Sequence, residues 1–222
     1  MIESELIADV CAGNRGAFAA LVETYQAGVY SLCYRMLGDA REAEDAAQEA
    51  FLRAYSQFHR YDATRPFKTW LFAIASHHCI DRLRKRRLRW LSLDDELLAE
   101  GEMWRSATPG PEEVALGHER RAEVTALLAL LTPNDRGAIV LHYWCGLSYA
   151  EIADALGATV SAVKSRLHRA RVMLGRRMTA EAGQREGRGV VRPGDAQRGG
   201  RTASHGARSR ELRTIVSLNS GR

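Results

Sequence analysis

The chain has 222 residues, a formal charge of +5 at neutral pH, and 45% apolar residues. This length suits one large domain or two small ones, and the apolar content is sufficient for buried cores. Its longest apolar runs are far shorter than the ~20 residues that cross a bilayer, so no membrane insertion is predicted. The acidic start, Met1 to Glu5, has no signal-peptide pattern, so we expect a cytoplasmic protein.

Helical periodicity recurs along residues 1–90, and no segment alternates convincingly as a strand would. An apolar stripe from Phe18 to Met36 predicts a long helix ending near Gly38. Asp39 and Glu42 resemble a capping box that opens a second helix. A third helix starts at Pro66, and its Trp70 is expected to pack in the core rather than wedge into DNA. Residues 1–90 are therefore predicted to form a small helical domain.

The charges along the chain are segregated. Residues 39–49 hold five acidic residues and one Arg, whereas residues 82–89 hold six basic residues and no acid. In the acidic segment, Glu42, Asp45 and Glu49 share one helical face, with Glu44 and Gln48 beside it. Such a face suits a basic partner helix, although a solvated helix face is the plainer alternative.

The periodicity fades after residue 90. Residues 91–117 are rich in Asp, Glu, Pro and Gly and predict a flexible linker, followed by a second helical domain at 118–178. Residues 179–222 hold nine Arg and eight Gly, a composition that predicts a disordered tail. We therefore expect an all-α protein with two small helical domains that share few contacts and move independently.

The most informative segment of the second domain is a helix-turn-helix pattern at residues 147–171. Ser148 and Glu151 form a capping box, Gly157 permits a tight turn, and Thr159 caps the following helix. Apolar residues are expected to pack inward at Val160, Val163, Leu167 and Ala170. The outward residues are expected to be Ser161, Lys164, Ser165, His168 and Arg169.

That outward face has the size and polarity that suit the major groove of DNA. Lys164, Ser165, His168 and Arg169 are candidates for base contacts. Arg166 and Arg171 are candidates for phosphate contacts, together with Arg176 and Arg177. The alternative is an ordinary amphipathic hairpin with a solvated charged face.

These features together resemble the extracytoplasmic-function sigma factors of the sigma-70 family. The resemblance is carried by residues 39–55, 67–75 and 80–84 and by the helix-turn-helix, in the order and spacing of that family. It implies binding to core RNA polymerase through the β′ coiled coil and the β flap. It also implies recognition of the minus-ten and minus-thirty-five promoter elements and control by an anti-sigma factor.

The resemblance also implies roles for particular residues. Docking on polymerase is assigned to Glu42, Asp45, Gln48 and Glu49. Contacts with the minus-ten element are assigned to His77, His78, Arg82, Arg84, Lys85 and Arg86. Cations beside aromatic side chains suit single-stranded DNA. His77 stands where the family often has Asn, which leaves the identity of a captured base open.

No cofactor or metal is predicted. The four cysteines include no CxxC pair and are interpreted as core residues: Cys11, Cys33, Cys79 and Cys145. His77, His78 and Cys79 are consecutive, and neighbouring helical side chains do not converge easily on one ion.

The sequence also lacks the patterns of common enzymes. Phosphate-binding loops, GxSxG and HExxH are all missing, so no enzyme is predicted, and a recombinase or nuclease has no candidate chemistry. The rival interpretation is a repressor that binds operator DNA as a dimer.

Overall fold

A computed structural model of the chain describes residues 3–93 and 122–187. Within these ranges the chain is helical and has no β-strand, so the predicted all-α class is confirmed. The α-helices are α1 (Glu3–Cys11), α2 (Arg15–Leu37), α3 (Ala40–Ser56), α4 (Phe67–Leu93), α5 (122–129), α6 (Pro133–Tyr143), α7 (Tyr149–Ala155) and α8 (Val160–Gly187). A 3-10 helix, Phe58–Arg60, lies between α3 and α4.

The turn between α2 and α3 is fixed by local signals. Gly38 adopts a φ of 84°, and its N–H donates to the carbonyl of Tyr34 at 2.8 Å. The side chain of Asp39 then accepts the N–H of Glu42 at 2.8 Å. Glycine reaches this left-handed conformation without strain, and Asp39 satisfies a donor that the start of a helix leaves unpaired. The predicted helix end and the N-cap at Asp39 are confirmed, but only the half of the predicted capping box in which Asp39 accepts is formed.

The first module consists of α1 to α4, and α3 packs against α2 and α4 through small side chains. The buried alanines of α3 are Ala43, Ala46, Ala47, Ala50 and Ala54. The short side chains of α3 let the three helices approach closely. Larger residues of α2 and α4 fill the core between them. Among the fully buried large residues are Leu21, Leu32, Met36 and Leu71.

Trp70 belongs to an aromatic cluster beneath the connection from α3 to α4. Its ring centre lies 5.9 Å from that of Phe58, 5.1 Å from that of Tyr61 and 5.7 Å from that of Phe67. These contacts support the interpretation of Trp70 as a packing residue. The hydroxyl of Tyr61 also donates to the carbonyl of Arg65 at 2.6 Å, which fixes the loop before α4.

The second module consists of α5 to α8. Thr132 caps α6 by accepting the N–H of Asp135 at 3.3 Å, and Pro133 occupies the first turn, as the sequence predicts. Apolar residues of α6, α7 and α8 form the centre of this module, at Leu141, Ile152, Val163 and Leu167. This packing orients α7 and α8 for the candidate DNA-binding surface.

The two modules pack against each other. α4 contacts α6 and α7, α2 contacts α6, and buried residues of both modules form one continuous core. The guanidinium of Arg35 on α2 lies 5.0 Å from the ring centre of Trp144, just after α6. The expectation of few shared contacts is therefore wrong, whereas the expectation of independent motion is not tested by these contacts and stays a prediction. Helical periodicity is a local signal and carries no information about contacts between distant helices.

Both modules extend beyond the boundaries predicted from sequence. α4 continues to Leu93, inside the predicted linker, and α8 continues to Gly187, inside the predicted tail. Ala, Glu, Gln and Arg after residue 179 favour helix continuation, although the low apolar content predicts disorder there. The rest of the predicted linker and tail lies outside the described residues.

The cysteine prediction holds for three of the four thiols. Cys33, Cys79 and Cys145 are buried, whereas Cys11 is exposed at the end of α1. Burial raises the pKa of Cys145 to about 12. The buried thiols are therefore packing residues, and Cys11 is a correction to the prediction.

Candidate nucleic-acid and polymerase interfaces

The predicted helix-turn-helix consists of α7, a short turn and α8. The N–H of Ser148 donates to Oε2 of Glu151 at 2.8 Å, and the N–H of Glu151 donates to Oγ of Ser148 at 3.3 Å. Gly157 adopts a φ of 56° in the turn. Thr159 then accepts the N–H of Ala162 at 3.1 Å, which caps α8. Each local signal identified in the sequence therefore contributes to this motif.

The outer face of α8 is polar and accessible. Its exposed members are Ser161, Lys164, Ser165, His168 and Arg169. Val163, Leu167 and Ala170 are buried on the opposite side, but Val160 is 40% exposed, so its predicted inward packing is wrong. Val160 is the first residue of the helix and projects beyond the core.

Two further arginines lie at the edges of this face. Arg166 and Arg171 are half-buried, and Nε of Arg171 donates to the carbonyl of Leu167 at 3.2 Å. Oγ of Ser165 donates to the carbonyl of Ser161 at 3.0 Å, so its lone pairs still face outward. The face thus combines a central Lys and His with flanking arginines.

Arg169 differs from its neighbours because it is held by the second module itself. Its Nη2 lies 2.9 Å from Oδ1 of Asp135, in the first turn of α6. The side chain of Asp135 is only 10% exposed, so Arg169 supplies an ion-pair partner that water cannot easily replace. Sequence reasoning assigned Arg169 to base contacts and had no signal for a partner 34 residues away.

The basic residues of α4 form a second polar surface, of which part is engaged within the chain. His77, Arg84 and Lys85 are exposed, and Arg82 and Arg86 are half-buried. Nη2 of Arg84 donates to Oδ1 of Asn134 on α6 at 3.2 Å. Nη1 of Arg86 lies 3.8 Å from Oε2 of Glu42 on α3.

His78 lies half-buried toward α3, unlike the exposed His77 next to it. Burial lowers the pKa of His78, and the nearby cations Arg53 and Arg82 lower it further. Its Nε2 is buried without a hydrogen-bond partner. Across residues 3–93 and 122–187, no group of three or more potential ligands could hold a metal ion.

The acidic face of α3 carries the predicted docking residues. Asp45 and Gln48 are exposed, whereas Glu42 and Glu49 are half-buried. Nε of Arg53 donates to Oε1 of Glu49 at 2.6 Å, and this bond lowers the pKa of Glu49. Glu42 is therefore held by an ion pair with Arg86 and Glu49 by one with Arg53, whereas Asp45 and Gln48 take part in neither pair.

Sequence reasoning missed an apolar extension of this face. Leu52 is 66% exposed and Tyr55 is 45% exposed. Steps of three and four residues place both on the same side of α3 as Asp45 and Gln48. The sequence did carry a signal for this patch, because the helical spacing of Leu52 does not match that of the buried alanines of α3. The face combines negative charge with exposed apolar area.

A second exposed apolar area lies on the other module. Leu130 is 48% exposed and Met173 is 46% exposed, and they line a shallow recess together with Arg176 and Arg177. Exposed apolar patches rimmed by polar residues often mark protein contacts. In the part of the chain that the structure describes, no helix is long and apolar enough to cross a membrane.

Comparisons with known proteins agree with this arrangement. Residues 21–89 match the family model for Sigma-70 region 2, and residues 121–174 match that for Sigma-70, region 4. The chain is 36% identical over 185 residues to the ECF RNA polymerase sigma factor SigW of Bacillus subtilis (strain 168). That alignment covers 78% of this chain and 95% of SigW.

A further relative has also been solved as a complex. The RNA polymerase sigma factor CnrH of Cupriavidus metallidurans is 31% identical over 180 residues, covering 80% of this chain and 94% of CnrH. The structure of CnrH with the cytosolic domain of CnrY matches with a TM-score of 0.58 and 27% identity, over 79% of this chain and 96% of that chain. An alignment of that extent includes residues of both helical modules.

Proposed function

We propose a division of roles between the two modules, from the premise that the chain belongs to the extracytoplasmic-function sigma factors of the sigma-70 family. The chain acts with core RNA polymerase in promoter-specific transcription initiation and is not an enzyme. We assign polymerase docking and the minus-ten element to the module within residues 1–90. The minus-thirty-five element is assigned to the module within residues 118–178.

The observation that carries this proposal is the exposed polar face of α8. α8 buries Val163 and Leu167 on one side and presents Lys164, Ser165 and His168 on the other. These groups can bond base edges in the major groove of the minus-thirty-five element, with Ser161 at the start of the helix. The assigned phosphate contacts are Arg166 and Arg171. Arg169 orients α8 against α6 through Asp135 and contacts DNA from that position.

The minus-ten element is assigned to the exposed side of α4. Arg82, Arg84, Lys85 and Arg86 supply cations that follow the backbone of a melted strand. His77 is exposed and is assigned to a base edge, to which an imidazole can donate or accept. His78 supports this surface from the seam between α3 and α4.

Docking on core polymerase is assigned to the acidic face of α3. Asp45, Gln48 and Glu49 face a basic helix of the β′ coiled coil, with Glu42 at the start of the face. Leu52 adds exposed apolar area to this contact. The recess at Leu130 and Met173 is assigned to the β flap, because it offers apolar area beside two cations.

Two further assignments follow from the family. Because CnrH has been solved with the cytosolic domain of CnrY, we propose that an anti-sigma protein also binds this chain. Sigma factors act on RNA polymerase, so we place the chain in the cytoplasm.

The decisive experiment is run-off transcription with purified core polymerase, with and without the full chain, on a library of genomic promoter fragments. We expect transcripts that depend on the chain. The absence of stimulation on every fragment would refute the proposal. Tight, specific binding of duplex DNA by the chain without polymerase would instead favour a repressor.

The docking face has a separate test. Asp45→Lys with Glu49→Lys should weaken core binding about ten-fold or more, because two attractive charges become repulsive. Glu49 also pairs with Arg53, so Asp45→Lys alone isolates the docking effect. Glu23→Lys, at an exposed acid of α2, is the matched control. Core affinity equal to that of the control would refute the assigned face.

A further inference from the structure

α8 begins with an exposed apolar side chain. Val160 is the first residue of the helix and is 40% exposed. Helical spacing places it on the same side of α8 as Val163 and Leu167, which are buried. The core of the second module therefore ends before the start of α8, and the isopropyl group of Val160 lies at its edge.

The backbone that carries Val160 is fixed by hydrogen bonds. Thr159 caps α8, and its Oγ1 accepts the N–H of Ala162 at 3.1 Å. The N–H of Val163 donates to the carbonyl of Thr159 at 3.0 Å, which closes the first turn of the helix. Because both bonds lie within the second module, the fold of that module sets the position of Val160.

Helix stability gives no reason for a valine at this position. A β-branched side chain is a poorer helix former than alanine, and an exposed one recovers only part of the gain from burial. Single exposed apolar residues are common on protein surfaces, so the surroundings of Val160 decide what it does there.

The surroundings of Val160 are polar. Ser161 is exposed beside it, and Lys164 is exposed one turn later. Oγ of Ser165 donates to the carbonyl of Ser161 at 3.0 Å. Among the exposed side chains of residues 159–169, a range that the structure describes in full, only that of Val160 has no polar group. An apolar group thus lies at the N-terminal end of a face that otherwise offers hydrogen-bonding groups.

The major groove of DNA presents one chemical group that fits this arrangement. Base edges there carry hydrogen-bond donors and acceptors, and thymine adds a C5-methyl group, against which apolar side chains pack. The N-terminal residues of a recognition helix are those that contact base edges. An isopropyl group that covered a donor or an acceptor would leave it unpaired, at a cost in free energy. A thymine methyl group imposes no such cost.

We propose that Val160 packs against the C5-methyl group of a thymine in the minus-thirty-five element and so selects a T·A pair at one position. The inference rests on the proposed function, because it uses the assignment of that element to α8. Val160 and Lys164 are four residues apart, or about 6 Å along the helix at about 1.5 Å per residue. With base pairs about 3.4 Å apart, the thymine lies within about two base pairs of the pair that Lys164 contacts.

Removing single methyl groups from the DNA tests this contact. Deoxyuridine replaces each thymidine in turn, on both strands, in the upstream half of a promoter recovered by run-off transcription. The change deletes the C5-methyl group and keeps the base pair. Holoenzyme assembled with the full chain is titrated onto each labelled fragment at fixed salt, and fluorescence anisotropy gives the affinity. We expect one replacement to weaken wild-type binding about three- to four-fold, the effect of one methyl group leaving an apolar contact.

The variant Val160→Ala links that effect to the protein. It should bind the unmodified promoter about three- to four-fold more weakly than wild type and lose its response to that one replacement. Val172→Ala is the matched control, since Val172 is 38% exposed on the same helix, about 18 Å farther along. The control should keep the wild-type affinity and the full response. Both variants should unfold at the urea concentration of wild type, because both valines are exposed.

Two results would overturn the proposal. One is wild-type binding that stays the same with every replacement, because then no thymine methyl group is read. The other is a Val160→Ala holoenzyme that responds to the replacement as wild type does, because then a different side chain contacts that methyl group.

A parallel series with Lys164→Ala separates this inference from the proposed function. Single base-pair changes in the same fragment locate the pair whose effect disappears in Lys164→Ala. If such a pair exists and Val160→Ala loses no response, α8 still reads the element and only the thymine contact is overturned. A responsive thymine farther than about two base pairs from that pair would overturn the contact as well. If no base-pair change in the upstream half alters wild-type binding, the assignment of α8 to this element is itself refuted.

Discussion

The outer face of α8 and the basic face of α4 contain similar residues in different surroundings. On α8, Lys164 and His168 are exposed, and the hydrogen bond donated by Oγ of Ser165 stays within the helix. On α4, Arg84 bonds α6 and Arg86 lies near Glu42 of α3. One face is presented directly to solvent, and part of the other is engaged inside the chain.

This difference separates two ways of building a DNA-binding surface. The α8 face is formed by capping and packing within one module, so its polar groups need no rearrangement before they meet bases. Under the proposed assignment, the α4 face must exchange contacts within the chain for contacts with DNA. A substitution at Lys164 or His168 of α8 should therefore change DNA affinity alone, whereas one at Arg84 of α4 should also change how the modules pack. Arg169 is the exception on α8, because it also holds Asp135.

The largest effect is expected from Lys164→Ala. A base contact in the major groove contributes about 1–3 kcal/mol to discrimination between bases, so affinity for the cognate minus-thirty-five duplex should fall by that amount. The free energy of unfolding should change by less than about 0.5 kcal/mol, because Lys164 is exposed. Fluorescence anisotropy with the holoenzyme at fixed salt measures the affinity, and urea denaturation of the chain measures the free energy of unfolding. An equal loss on nonspecific duplex would show a phosphate contact instead.

Arg169→Ala tests whether Arg169 of α8 has a structural role in addition to its proposed role in DNA binding. Removing this cation leaves the nearly buried carboxylate of Asp135 unpaired. We expect a loss of about 1–2 kcal/mol in the free energy of unfolding, below the value for a fully buried pair because Arg169 is 60% exposed. Asp135→Asn with Arg169→Ala should recover part of that loss. A free energy of unfolding equal to that of Lys164→Ala would show that Arg169 has no structural role.

A smaller effect is expected at the contact between α4 and α6. Arg84→Ala and Asn134→Ala should each destabilise the chain by less than about 1 kcal/mol, because the hydrogen bond is exposed. Only Arg84→Ala should weaken binding of the holoenzyme to a melted minus-ten strand, measured with a fluorescent oligonucleotide. Equal weakening by Asn134→Ala would show that the contact positions Arg84 rather than competing with DNA.

The smallest effect concerns pH and His78. Its lowered pKa has burial as the largest cause, followed by Arg53 and Arg82, and it is partly opposed by Glu49 and Asp81. The unfolded chain therefore takes up this proton more readily, so stability is lost as the pH falls below about 6.5. Thermal unfolding between pH 7.5 and 5.5 should show a smaller decline for His78→Gln than for wild type. The exposed neighbour provides the control, His77→Gln, and an identical decline in both variants would exclude His78 as the source.

Much of this molecule could be predicted from sequence because its signals are local. Gly38 with Asp39, Thr132 with Pro133, and Ser148 with Glu151 act within a few residues. The face of α8 follows from helical spacing in the same way. Capping and periodicity therefore predicted both the helices and the side chains that the helix-turn-helix exposes.

The rest depends on contacts between residues far apart in the chain. Arg169 meets Asp135 across 34 positions, Arg84 meets Asn134 across 50, and Arg136 meets Met36 across 100. Each partner could be identified only once the helices were packed. This is why Arg169 was assigned to bases alone and why the packing of the two modules was not expected.

The stacking of Arg35 on Trp144 gives the chain a built-in optical reporter. A cation over an indole ring alters its electronic surroundings, and these two residues come from different modules. With the other three tryptophans replaced by phenylalanine, the emission of this indole would report, without any attached dye, on the contact between the two modules.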